Sequence, residues 1–217
     1  MRNIHVIGPF NTGTNLMHNI IKGCDCIDLI TNDKIHIGGL HEPFGKHTLV
    51  IDDIDNYLSN TNNILIIMYK DVYNWLYSIK KAAYDVKFTK MFLPVELYGK
   101  HFSNMIELYN FYYMNYMSFI NKYPNVIFLD YEKVIKRETS YDYVNNKLEN
   151  LNIKIASKPK FNLQLNTKAK SHGHSVKSAD DANKVYKYNN QLVRSFINKF
   201  PTLASSVNPI LLNFYTK

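Results

Sequence analysis

Apolar and polar positions follow two rhythms along this chain. Four runs are apolar with little interruption: "IHVI" at 4–7, "KIHI" at 34–37, "NILIIMY" at 63–69 and "NVIFLDY" at 125–131. Each is short, rich in β-branched residues and flanked by glycine or polar residues, the pattern of buried strands. After Asn63 the third run has no polar alternation, which marks a parallel-sheet strand covered on both faces. The second rhythm is helical. In "TNLMHNIIKG", Leu16, Met17, Ile20 and Ile21 share one face, and Gly23 is a stop signal. In "DVYNWLYSIKKAAYD", Trp75, Leu76, Ile79 and Ala83 form an inner stripe behind Asp71, a good N-cap. "HTLVIDDIDNYL" leads into a short helix, and "VELYGKHFSNMIELYNFYYMNYMSFINKY" reads as one long helix or two. "SYDYVNNKLENL" is amphipathic. From Lys158 to Asp181 the chain is polar and reads as loop, before apolar periodicity returns in "NQLVRSFINKF" and "PILLNFY".

Strands alternating with helices, the strands fully apolar, predict an α/β fold with a parallel sheet. The expectation is a single domain over residues 1–217, built as a three-layer α/β/α sandwich around a central parallel sheet. Ligands of such sheets bind outside the carboxyl ends of the strands. The loops after Ile7, after the strand of residues 35–40 and after Tyr69 are therefore expected to converge.

Composition changes this picture only a little. An apolar fraction of 46% with 20% charged residues supplies a core and argues against wholesale disorder. The formal net charge of +8 suits a polyanionic partner: nucleotide, nucleic acid, acidic glycan or anionic lipid. The positive charge is mostly lysine and spread along the chain, with three arginines in all, so a plain solvated surface explains part of it. Most of the 17 tyrosines and 12 phenylalanines are read as core and helix-packing residues. Cys24 and Cys26, in a C-x-C pair, are poorly spaced for a relaxed disulfide, and no Cys/His cluster completes a metal site, so no metal is expected. With no signal-type segment in "MRNIHVIGPF" and no run of transmembrane length, a reducing, cytoplasmic setting without a membrane is expected.

The chemistry concentrates in two places. In "GPFNTGTN", Gly8 and Gly13 stand five apart, as in the ATP-binding pattern G-x-x-x-x-G-K-S/T. Thr14 occupies the lysine position and Asn15 that of the magnesium-binding hydroxyl. The residues that neutralise β- and γ-phosphates in ATP chemistry are thus missing. A glycine turn feeding a helix N-terminus still forms an anion cradle, and the hydroxyls of Thr12 and Thr14 are candidate donors to it. The alternative is a turn that only joins strand to helix. The second place is "KDVYNWLYS", where Lys70 ends the strongest strand and Ser78 follows eight residues later on the next helix. A cation and a hydroxyl so placed can grip one phosphate together.

In this order and strand context the chain resembles the sulfotransferase superfamily that uses 3′-phosphoadenosine 5′-phosphosulfate (PAPS). "KDVYNWLYS" is similar to the family's strand-end Arg with a Ser eight residues on, and "FLDYEKVI" to its Tyr-Glu segment after a later strand. The resemblance covers about residues 4–135 and, more loosely, the tail. It implies a P-loop-like sulfotransferase architecture in which Phe10, Asn11, Thr12, Gly13, Thr14 and Asn15 hold the phosphosulfate. Lys70 and Ser78 would select the 3′-phosphate, with Lys168 and Lys170 of the late polar segment closing over it. The donor would be PAPS, the product 3′-phosphoadenosine 5′-phosphate (PAP), and the acceptor a hydroxyl or amine on a sugar, phenol or tyrosyl peptide. In "GGLHEPFGKH" the resemblance points to His41 as the base, with Glu42 second.

There is one departure. Asn11 stands where the family carries Lys or Arg, a donor whose removal costs roughly 3–4 kcal/mol of barrier. Lys46, Lys70 or a late lysine is then needed as substitute. Two rivals stay open: a magnesium-dependent P-loop kinase, and a nucleotide- or polyanion-binding module on the same scaffold whose chemistry has been lost.

Overall fold

The longest apolar run becomes the centre of the sheet. In the computed structural model, β4 (Asn63–Tyr69) lies between β1 (Arg2–Ile7) and β7 (Val126–Asp130). On the far side of β1 lies β3 (Ile35–Ile37), and all three pairings are parallel. The described residues are 2–23, 27–29, 35–37, 42–81, 94–135, 140–155, 195, 198 and 205–213. Ile4 stands opposite Ile64 and Ile7 opposite Ile67, while on the other edge of β4 Tyr69 stands opposite Asp130.

Successive residues of β4 point to opposite faces, which is why the run needs no polar alternation. Ile64, Ile66 and Met68 enter one apolar cluster, where they meet Leu16, Met17, Ile20 and Ile21 of α1 (Thr14–Gly23). Val134 and Ile135 of α5 (Tyr131–Ile135) join them, with Val144 and Leu148 of α6 (Ser140–Glu149). Leu65, Ile67 and Tyr69 enter a second, larger cluster. It holds Ile54 and Leu58 of α2 (Ile51–Leu58), Trp75, Leu76 and Ile79 of α3 (Val72–Lys81) and the buried face of α4 (Met105–Lys122). Leu211 of α7 (Pro209–Asn213) adds to it. The fold is mixed α/β with a central four-stranded parallel sheet and helices packed on two apolar faces, an arrangement compatible with three layers.

Two departures from the expected elements stand out, and the first has a clear cause. Residues 95–102, expected as helix, form a hairpin of β5 (Val95–Leu97) and β6 (Lys100–Phe102). Both turn residues have left-handed backbones, Tyr98 at φ 50° and Gly99 at φ 71°, the requirement of a two-residue hairpin turn. Val95, Leu97 and Phe102 are buried and Glu96, Lys100 and His101 exposed. α4 begins only at Met105, where Asn104 caps it by accepting from the amides of Ile106 and Glu107. The second departure is an antiparallel pair of three-residue strands, β2 (Ile27–Leu29) with β8 (Ile153–Ile155), formed between segments far apart in sequence.

α4 does more than cover the sheet. Tyr109, Tyr112, Tyr113 and Tyr116 recur at helical spacing and are at most 1% exposed. Each hydroxyl binds backbone at the top of the sheet. Tyr109 donates to Lys70 O at 2.8 Å, Tyr112 to His47 O at 3.0 Å and Tyr116 to Thr48 O at 2.8 Å. Tyr113 donates to Met68 O at 3.1 Å and accepts from Lys70 N at 3.1 Å. This aromatic face is the brace behind two loops. Tyr113→Phe strands a carbonyl and an amide at the end of β4. The expected outcome is a loss of about 1–3 kcal/mol in urea unfolding, read as a lower midpoint with an unchanged slope.

Candidate functional site

The chain order places the site before any side chain does. From β1 the chain crosses to β3 on one side and then returns past β1 to β4 on the other. The crevice between the carboxyl ends of β1 and β4 is therefore the topological switch point, where ligands of open α/β sheets bind. The glycine turn and Lys70 are the residues that leave those two strand ends.

The turn is tightly built. Gly8 N donates to Lys46 O at 2.9 Å, and Gly8 O accepts from the His47 Nδ1–H at 2.7 Å, which fixes that imidazole's tautomer. A side chain at position 8 would bring Cβ within 2.6 Å of Thr12 Oγ1 and 2.9 Å of Met68 O, so the close approach requires glycine. Asn11 at φ 61° and Gly13 at φ 88° reverse the chain, and Gly13 O accepts the first helical bond of α1, from Met17 N at 3.0 Å. Asparagine tolerates the left-handed region better than most residues. Phe10 is buried with its ring 4.5 Å from that of His47, and its carbonyl accepts from the Trp75 indole at 2.7 Å. Thr12 is fully buried, and its hydroxyl, expected to face an anion, donates instead to Pro9 O at 2.7 Å. It braces the turn from within. Thr14 is also buried, at 4% exposure.

Lys70 is the centre of the site. It is 5% exposed, yet its Nζ reaches the turn, donating to Asn11 O at 3.0 Å. The same Nζ donates to Ser78 Oγ at 2.8 Å, and that hydroxyl donates onward to Asn74 O at 2.8 Å. It also stands 4.2 Å from the centre of the Tyr131 ring. These three partners are neutral, so burial pushes the ammonium down to about 7, with neighbouring Asp71 pulling weakly the other way. The Asp71 carboxylate caps α3, as its position predicted, accepting from Tyr73 N at 2.9 Å and Asn74 N at 3.2 Å.

Tyr131, at the carboxyl end of β7, was not singled out as a site residue. Besides its contact with Lys70 it packs on Gly13 so closely that a Cβ there would fall 2.6 Å from its Cδ2. The usable signal was its place at a strand end beside the switch point. Lys46 extends from the segment before α2 and donates to Asn15 Oδ1; it is half-buried, and desolvation lowers its pKa. Of the residues expected to act, the structure joins Asn11, Lys70 and Ser78 in one hydrogen-bonded group, and Asn15 with Lys46 in another. Glu42 is exposed. His41, Lys168 and Lys170 lie outside the described residues.

Among the described residues no cluster of three or more His, Cys, Asp or Glu is placed to hold a metal ion, and no helix is long and apolar enough to cross a membrane. Compared with protein-family models, curated proteins and solved structures, the chain matches none of them.

Two outcomes follow from this geometry. Gly13→Ala forces an L-residue into left-handed backbone against Tyr131, and urea unfolding should show a loss of more than about 1 kcal/mol. Lys70 is mostly neutral at pH 8, and an anion beside it favours the charged form. Sulfate, which stays dianionic across this range, should therefore take up close to one proton when it binds at pH 8, and almost none at pH 6. Calorimetry in buffers of different ionisation enthalpy reads this directly, and the affinity should fall as pH rises from 7 to 9.

Proposed function

We propose that the chain is a sulfotransferase that moves a sulfuryl group from PAPS to a hydroxyl or amine acceptor. The observation that carries the reading is the buried Lys70 ammonium at the switch point, held by Ser78 on one side and by the glycine turn on the other, with neutral partners at each contact. A charge so far from water gains most from a bound counter-charge. In this reading a phosphate at Lys70 and Ser78, with a second anionic group on the turn, would be the two charged ends of a doubly phosphorylated adenosine.

In this reading the acceptor oxygen attacks sulfur in line. A new S–O bond forms as the S–O bond to the donor's 5′-phosphate breaks, and PAP departs. The acceptor proton passes to a base, for which the sequence resemblance nominates His41, with Glu42 second. Arrangement of the phosphates is left to the turn, Lys70 and Ser78. We place the reaction in a reducing, cytoplasmic setting on the cysteine pattern.

One observation favours a second reading. Asn11 brings no charge to the turn, and its carbonyl is occupied by Lys70. A nucleotide-binding module without turnover would look the same at this point. The two separate on activity: PAP binding with no sulfuryl transfer across sugar, phenol and tyrosyl acceptors assigns the module. Magnesium-dependent preference for ADP over PAP would assign a kinase.

The direct test compares PAP with AMP by calorimetry. Lys70→Ala should lower PAP affinity by about 10- to 100-fold, the scale of a lost charge-assisted contact, and AMP affinity far less. Equal losses for the two ligands overturn the 3′-phosphate assignment.

A further inference from the structure

Sulfuryl transfer builds negative charge on the oxygen that links sulfur to the departing phosphate, and the glycine turn offers no cation of its own to meet it. Lys70 is not positioned for that task, because its Nζ is divided between Asn11 O and Ser78 Oγ on α3. The other end of the same turn is served from elsewhere in the chain. Lys46 belongs to the segment that precedes α2, and that segment is fastened along the turn. Its backbone carbonyl accepts from Gly8 N at 2.9 Å, the His47 ring bonds Gly8 O at 2.7 Å, and Thr48 N closes a tight reversal onto Gly45 O at 2.9 Å. From behind, the hydroxyls of Tyr112 and Tyr116 hold His47 O and Thr48 O. The ammonium then projects to the side chain of Asn15, in the first turn of α1.

We infer that Lys46 supplies, from a second loop, the positive charge that the glycine turn lacks at Asn11, with Asn15 as its positioning residue. The inference rests on the sulfotransferase reading for the transfer step, but its anion-binding half stands without it. Asn15 Oδ1 is a neutral acceptor, so it aims the ammonium without cancelling its charge. In the transfer, the S–O bond to the donor phosphate breaks and its electron pair goes to the linking oxygen. Lys46 meets that charge while the acceptor proton goes to the base. The two lysines then divide the ligand: Lys70 with Ser78 takes the 3′-phosphate, and Lys46 with the turn takes the 5′-group.

The experiment is a pair of substitutions read by binding and by turnover. Lys46→Met, which keeps most of the apolar stem, should weaken AMP, PAP and inorganic pyrophosphate together by about 10- to 100-fold and leave the PAP-to-AMP preference unchanged. Lys70→Ala should do the reverse, collapsing that preference. Where the unaltered chain transfers sulfuryl groups, Lys46→Met should cut kcat by about 100- to 1000-fold, and Asn11→Lys in the same background should restore much of it. Unchanged AMP and pyrophosphate affinity in a Lys46→Met protein with a normal thermal melt overturns the inference, as does loss of the PAP-to-AMP preference. Should Lys46→Met not fold, Lys46→Arg and Asn15→Ala take its place, Asn15→Ala being expected to weaken pyrophosphate binding and Lys46→Arg to keep it. A chain that binds PAP as described but transfers nothing defeats the sulfotransferase reading and leaves the assignment of Lys46 to the binding arm.

Discussion

A single ammonium group, withdrawn from water and met by neutral partners, ties this structure together. Lys70 joins three strand ends: the turn after β1 through Asn11 O, its own position after β4, and β7 through the Tyr131 ring. It adds the first turns of α3 through Ser78. Two hydrogen bonds and a cation–π contact, the last worth about 0.5–2 kcal/mol, offset part of the desolvation. They do not neutralise the charge. The group is thus held in place and left electrically unsatisfied, the condition under which an incoming anion gains more than it would at a surface lysine.

The geometry around that charge is fixed from behind. α4 presents four buried tyrosines whose hydroxyls bond the backbone of Lys70, Met68, His47 and Thr48. Burial holds the Tyr109, Tyr112 and Tyr116 phenols well above their ordinary range, so they remain neutral hydrogen-bonding groups throughout the pH range in which proteins fold. Backbone held this way positions the side chains it carries. The Lys70 ammonium and the Lys46 segment therefore owe their places to one helix that contributes no group of its own to the described contacts of either ammonium.

Much of the frame was legible because buried parallel strands have a plain signature. β4 and α1 fall on the residues expected, and α3 begins behind its expected cap, Asp71. The Lys70–Ser78 partnership was legible for a local reason, since a strand end and two helical turns fix the spacing. What was not legible depends on distance or on turn chemistry. Tyr109 and Tyr113 meet β4 across 39 and 45 residues, and nothing local distinguishes them from ordinary core tyrosines. The hairpin at 95–102 hid because its aromatic and apolar residues stand close before those of α4, and only Tyr98-Gly99 and the Asn104 cap mark the breaks. β2 and β8 are three residues each and acquire meaning only when paired. Thr12 misled for the opposite reason: a hydroxyl in a glycine turn suggests a ligand, but here Pro9 O lies closer to hand.

The Trp75 indole bond to Phe10 O has one more consequence. Trp75 is the chain's single tryptophan, it is fully buried, and its N–H ends on the glycine turn itself. Its fluorescence consequently arises from one environment, and any shift of the turn that lengthens that bond changes the polarity the excited indole senses. The fold thus carries an optical gauge wired to the glycine turn, with no label to attach and no background from a second emitter of the same kind.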